Sequence, residues 1–469
     1  MPKSNIHKKK VKEKKSINGF VLLFSVLVVM AILSYIIPAG QYTRDLVDGI
    51  DVVVSNSYET IARTPVSFLD IFSAVHDGMV ESAPIIFYVI IIGGMISVMN
   101  STGSLDALLA STSKKLAKKR LLFISVLVLL FSLGGTLIGM GEESLIYIPI
   151  VVPFALSMGY DVLTGAAIVL FGMCVGFTTA IMNPFTIGVA QGIAELPMFS
   201  GIHLRIALYI VTFVAAVAFL YNHGEKVRKN PSLGVWDETN IYTKALHNDD
   251  NIKLETKHKL ILLTFVVGII AIVIGVMKYN WGMAEYSGVF ILISVVMALI
   301  WKMSPDNYIK YFLKGAENIL PGALIIGVAR GIVVVLTNGN IIDTILYYSS
   351  SALQHLPTSL SVIGMFIVQG IIHILVPSGS GQAMLTMPIM IPLSDLLNVT
   401  RQTACLIFTL ADGIGNTWIP TSGILMAVLS MNKIPYRKWI KTLLPFIIGQ
   451  YVVAIIVSVI ANMMNYGPF

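Results

Sequence analysis

Residues 17–37, INGFVLLFSVLVVMAILSYII, carry no charged side chain over a length that can cross a bilayer as a helix. Comparable runs recur to the C-terminus. They read as membrane-crossing helices. In hydrocarbon a backbone must satisfy its own polar groups, and a helix does so within one segment. Composition agrees: 56% of the 469 residues are hydrophobic, 12% are charged and the mean hydropathy is +0.81. A soluble chain carries about 25% charged residues. The chain is read as an all-α polytopic membrane protein.

No polar region is large enough for a separate soluble domain. The longest, 221–259, lacks apolar periodicity and reads as a loop. The pI near 9.1 therefore points to loops resting on anionic lipid, not to nucleic acid. Cys174 and Cys405 both sit inside apolar runs and read as small buried hydrophobes. They suit neither a disulfide framework nor a metal site, and no cofactor motif is found. The first run follows a lysine-rich tail and is taken as an uncleaved span.

Charge placement sets the orientation. Crossings are read at about 17–37, 83–101, 162–196, 203–221, 260–277, 286–303, 321–338, 401–430 and 439–461. Two pairs of apolar segments, 121–158 and 358–397, leave and return to the same side. With the N-terminus inside, 26 of the 32 Lys and Arg residues fall on inner segments, 5 on outer ones, and Arg330 within a span. That bias places the N-terminus in the cytoplasm and the C-terminus outside.

The chain also repeats. YIPIVVP (147–153) matches TMPIMIP (386–392), Pro84 matches Pro321, Gly103 matches Gly339, and Pro184 matches Pro420, all at offsets of 236 to 239. On this topology the hairpin of the first unit opens inward and that of the second outward. The chain is therefore read as two inverted-topology repeats, an arrangement typical of secondary transporters. It divides into a basic tail (1–16), a first repeat (17–221) with hairpin 121–158 and broken helix 162–196, a cytoplasmic loop (222–259), and a second half (260–469) with hairpin 358–397 and broken helix 401–430. The amphipathic connectors 105–119 and 341–356 are placed along opposite membrane surfaces.

Each hairpin has a short Gly-rich polar tip, GMGEES (139–144) and VPSGSGQ (376–382). Each is followed by a span with an internal proline, in MNPFTIG (182–188) and WIPTSG (418–423). Proline removes a backbone donor, and irregular backbone at that depth survives where it lines a cavity. Two tips and two breaks converging at mid-membrane make one central site.

These runs, with NPFTIGVAQGIA and ADGIGNTWIPTSGILMAVL, resemble the YfcC-type, anaerobic C4-dicarboxylate carrier-like group of the ion transporter superfamily. The resemblance covers nearly the whole chain. It implies a scaffold domain and a transport domain, a homodimer, elevator-type movement and a bacterial inner-membrane location. Members are described either as dicarboxylate carriers or as arginine/ornithine-type antiporters. Carried over by position, it implies one half-site of Gly141, Glu142, Glu143, Ser144, Asn183, Pro184 and Thr186. The other comprises Ser378, Gly379, Ser380, Gly381, Asn416, Thr417, Thr421 and Ser422. Neither tip has the Ser-Asn-Thr triplet of many sodium-binding members.

Ionisable residues inside a membrane are costly, at roughly 2.5–3.5 kcal/mol each on insertion scales, so each asks for a reason. Here they are Glu142, Glu143, Arg330, His373 and Asp412. One glutamate is expected to hold the cationic end of a substrate or a coupling proton, while the other caps the following helix. Asp412 lies one helical turn before Asn416 and is read either as a substrate ligand or as a structural partner of Arg330. His373 is read either as a core histidine or as a proton relay. Three carboxylates against Arg330 favour a basic amino acid over a dicarboxylate, exchanged against a counter-substrate or coupled to protons. An enzyme is disfavoured. His373 and Ser378 are not spaced to form a dyad, and neither H-E-x-x-H nor a P-loop occurs. A channel is disfavoured because paired inverted hairpins suit alternating access.

Overall fold

The computed structural model describes residues 19–47, 50–54, 56–105, 107–108, 111, 119–236, 254–279, 281–353 and 356–467. The basic tail 1–16, most of the connector 105–119 and residues 237–253 of the polar loop lie outside the described residues. The protein is an all-helical polytopic membrane protein. Eight described helices are long and apolar enough to cross a membrane.

The first half begins with α1 (Gly19–Ile36), then two short antiparallel ribbons pairing Gly40–Gln41 with Glu59–Thr60 and Arg44–Val47 with Ile50–Val53. Helices α2 (Phe68–Glu81) and α3 (Ala83–Ser101) meet at Ser82. The hairpin follows, with α4 (Arg120–Leu133), a wide π turn (Gly134–Ile138), the tip, a 3₁₀ turn (Glu142–Tyr147) and α5 (Ile148–Ser157). The broken helix is α6 (Val162–Thr179), a π turn (Pro184–Gly188) and α7 (Val189–Ile193), and α8 (Ile202–Lys229) closes the half. The second half contains α9 (Thr256–Tyr279), α10 (Met283–Trp301), α11 (Pro305–Asn338) and α12 (Ile342–Leu353). Its hairpin is α13 (Thr358–Leu375) and α14 (Gly379–Leu396), its broken helix α15 (Arg401–Gly415) and α16 (Gly423–Met431), and its last element α17 (Tyr436–Met463).

The repeat persists in the element bounds. The start of α2 and the end of α3 lie 237 residues before the start and end of α11. The first half breaks this element at Ser82, and the second runs through Pro321 as one 34-residue helix. Helices α8 and α17 are both 28 residues long. α1 packs on α11 as α10 packs on α3. That leaves α9 without a counterpart.

Two elements depart from the sequence reading. The crossings at 83–101 and 321–338 omitted α2 and the first half of α11. α2 is amphipathic, with Asp70, His76 and Asp77 diluting an outer face of Phe68, Leu69 and Phe72. It is held by close approach of small residues. A Cβ on Gly78 would collide with the backbone of Gly327 and Gly331, and Gly331 lies against the Ala74 carbonyl. Ala74-x₃-Gly78 thus meets Gly327-x₃-Gly331, the packing that joins helices in lipid. The second departure is the pair of ribbons. They are tied to α12 by Asp343, which accepts from the Tyr42 N–H at 2.9 Å and pairs with Arg44 at 2.8 Å. Tyr58 stacks on Tyr347 at 4.0 Å.

The core lies where α6 crosses α15. Almost every residue of both is buried. Gly413 sits against the backbone of Thr178, which a side chain would not permit.

Candidate functional site

Local chemistry explains each tip and break. In the first half, Gly139 at φ +68° ends the π turn, a left-handed conformation that glycine adopts without a steric penalty. Fully buried Asn183 then ties tip to break. Its Nδ2 donates to the Gly135 carbonyl at 2.9 Å, and its Oδ1 accepts from the N–H groups of Phe185 and Thr186 at 2.9 and 3.2 Å. The freed N–H groups of Ile181 and Met182 reach the Thr136 hydroxyl and carbonyl at 2.8 and 2.9 Å. In the second half, the Ser378 hydroxyl caps α14 through the Gly381 N–H at 3.3 Å, and that of Ser422 caps α16 through Leu425. The Thr421 hydroxyl donates to the Ile374 carbonyl at 2.7 Å. Each break is thus bonded to the hairpin of its own half.

The halves then cross. Gly379 of the second tip packs on Thr186 of the first break, and Gly141 of the first tip packs on Ile424 beside the second break. Between them lies a cavity of about 370 Å³. That is within the usual range for small-molecule sites. Among the expected residues, Gly141, Glu142, Glu143, Thr186, Ser378, Gly379, Ser380, Asn416, Thr421 and Ser422 line it, as does Arg330. Ser144, Asn183, Pro184, Gly381, Asp412, Thr417 and His373 do not. Ser144 is buried behind the first tip, and Pro184 opens the π turn. The Thr417 hydroxyl donates to the Ile414 carbonyl at 2.6 Å. Asp412 and His373 are fully buried behind the second tip, 3.5 Å apart.

The two glutamates differ. Glu143 turns back to accept the Gly141 N–H at 3.0 Å, and three tyrosines, Tyr88, Tyr147 and Tyr286, face it. That bond folds the tip back on itself. Glu142 lines the cavity.

Arg330 does not pair with Asp412. Its Nε donates to Glu81 at 2.6 Å, across the close contact of α2 and α11. The Gly327-x₃-Gly331 pattern that brackets Arg330 was the available signal for this wall. Glu81, Ser82 and the rings of Phe177 and Phe185, which also line the cavity, were not anticipated from the sequence. Glu81 takes the place in the charge balance that the sequence reading gave to Asp412. The lining carries Glu81, Glu142 and Glu143 against Arg330.

A multi-pass helical membrane protein with two broken helices and two hairpin tips around a central cavity is built as a transmembrane transporter. Residues 18–463 match the family described as "C4-dicarboxylate anaerobic carrier", and the chain belongs to that family. Among relatives, YfcC of Escherichia coli (strain K12), provisionally named a basic amino acid antiporter, is 30% identical over 81% of this chain and 78% of its own. A protein of Haemophilus influenzae without a functional name is 27% identical over 93% of this chain and 95% of its own. Two solved transporters align at lower similarity. The YdaH transporter of Alcanivorax borkumensis has a TM-score of 0.42 and 13% identity, covering 96% of this chain and 100% of its own. MtrF of Neisseria gonorrhoeae has a TM-score of 0.41 and 15% identity, covering 97% and 98%.

Proposed function

We propose that this chain is a secondary active transporter that exchanges basic amino acids across the bacterial inner membrane, with its N-terminus in the cytoplasm. The observation that carries the reading is the charge of the cavity. Three carboxylates face one guanidinium there, and that guanidinium is already joined to Glu81. A dicarboxylate needs free cations, and among the described residues lining the cavity no second Lys or Arg is present. A basic amino acid places its side-chain cation against Glu142. Its α-carboxylate is taken by the N-terminal N–H groups of the second tip, whose helix dipole favours a negative charge.

The Glu81–Arg330 pair adds to this. The two side chains are 45% and 41% exposed, so the pair is worth only about 0–1 kcal/mol of stability. A substrate's ammonium and carboxylate replace it at little cost. The family's own description names C4-dicarboxylates, and this is the competing reading. Counterflow into proteoliposomes separates them. Vesicles preloaded with unlabelled arginine should accumulate labelled arginine and ornithine but not labelled succinate. Accumulation of succinate without arginine overturns the reading.

A further inference from the structure

Asp412 is fully buried, and neither carboxylate oxygen has a hydrogen-bond partner. An ionised carboxylate without water or a partner is among the most expensive groups a protein can bury. A helical-membrane core offers no relief, so a charge-neutralising species belongs at this position for at least part of the working cycle. The groups facing Asp412 identify it. Helix α13 presents His373, whose Nδ1 lies 3.5 Å from Asp412 Oδ1, and α6 presents Cys174. No other element packed on α15 offers it a charged side chain among the described residues. Among the described residues, no group of three or more His, Cys, Asp or Glu side chains gathers there.

His373 is held in one tautomer. The Gln382 Nε2 group donates to the Gln369 carbonyl at 2.9 Å and to its Oε1 at 2.7 Å, which turns the Gln382 Oε1 toward the imidazole. That oxygen accepts from His373 Nδ1 at 2.8 Å, so Nδ1 carries the hydrogen. Nε2 is buried on the other side of the ring, toward Gly415 and the Asn416 side chain. Asn416 lines the cavity, and Gly379, the second-tip residue that lies against the Asp412 oxygens, also lines it. The pair is buried, yet one residue from the substrate space on two sides.

We propose that Asp412 and His373 form a proton-binding site behind the second hairpin tip, filled from the cavity and used to couple transport to proton movement. A hydronium in the cavity gives up its proton and is left as water, while the proton forms an O–H bond on Asp412 and gives a neutral carboxylic acid. His373, whose Nδ1 lies 3.5 Å from Asp412 Oδ1, sets the polarity of the site and so the pH at which it fills. Opening of the tip at Gly379 returns the proton to water on the other side. This rests on the chain being a transporter and not on the choice of amino acid.

Infrared difference spectra between alkaline and acidic buffer, taken on the full chain in liposomes without substrate, read the site directly. A carboxylic-acid carbonyl band should appear on acidification, move on labelling with ¹³C-aspartate and vanish in Asp412→Asn. Asp412→Glu should restore a band at a different frequency. In His373→Asn the pH at which the band appears should shift. An aspartate-insensitive spectrum, or one unchanged in Asp412→Asn, overturns the proposal. An unmoved midpoint in His373→Asn removes the histidine from the site. Uptake of labelled arginine driven by a pH gradient should be lost in Asp412→Asn. If wild-type protein carries no arginine at all, the substrate reading fails while the infrared result still decides the proton site.

Discussion

Replacing Asn183 with Ala probes how the first tip and the first break are held as one unit. The side chain is fully buried and makes three bonds, one to Gly135 and two to the start of the π turn. Losing the cap costs about 0.5–2 kcal/mol. The Gly135 carbonyl is stranded in a dry environment, at about 1–3 kcal/mol. The two losses share one side chain and do not simply add, so about 2–4 kcal/mol is expected. Ser422→Ala at the second break is the internal comparison. It removes one long cap bond of 3.4 Å, for about 0.5–1 kcal/mol. Equilibrium unfolding of the detergent-solubilised protein should rank Asn183→Ala well below Ser422→Ala. Transport by Asn183→Ala should fall more than its membrane insertion does. Equal stabilities for the two variants would refute the idea that Asn183 joins the tip to the break.

Three further outcomes are expected. Glu81→Gln frees Arg330 and makes the cavity less anionic, so succinate should begin to compete with arginine uptake while stability changes by less than about 1 kcal/mol; no change in competition would separate this pair from selectivity. Gly413→Ala forces a side chain against the Thr178 backbone and should destabilise by about 1–3 kcal/mol in the same unfolding assay. Asp343→Ala removes an acceptor shared by the Tyr42 N–H and Arg44, so limited proteolysis should cut the 40–60 ribbons faster than in Arg44→Ala, where the Tyr42 bond survives; equal rates would show that the ribbon is held elsewhere.

The long apolar spans, the tips and the internal prolines were legible because each leaves a local mark: an uncharged run, a glycine-rich interruption, a missing N–H. α2 was not, because four charged or titratable residues, Asp70, His76, Asp77 and Glu81, dilute its apolar run and hydropathy alone passes over it. Glu81 was invisible as a site residue for a different reason. Its partner lies 249 residues away, and only the glycine-mediated approach of α2 to α11 brings them together. Asp412 shows the limit of helical spacing. One turn from Asn416 suggested a shared face, but the rotation of α15 against α13 puts the amide at the cavity and the carboxylate behind Gly379. The doublet Glu142 and Glu143 announced two roles without assigning them. The Gly141 N–H bond sets Glu143 apart from Glu142.

Equilibrium binding of labelled arginine to the purified protein tests the account most directly. Binding should be saturable, displaced by ornithine and not by succinate, and abolished in Glu142→Gln but retained in Glu143→Gln. Saturable succinate binding with no arginine binding, or arginine binding of wild-type strength in Glu142→Gln, would contradict a cavity built for a cationic substrate.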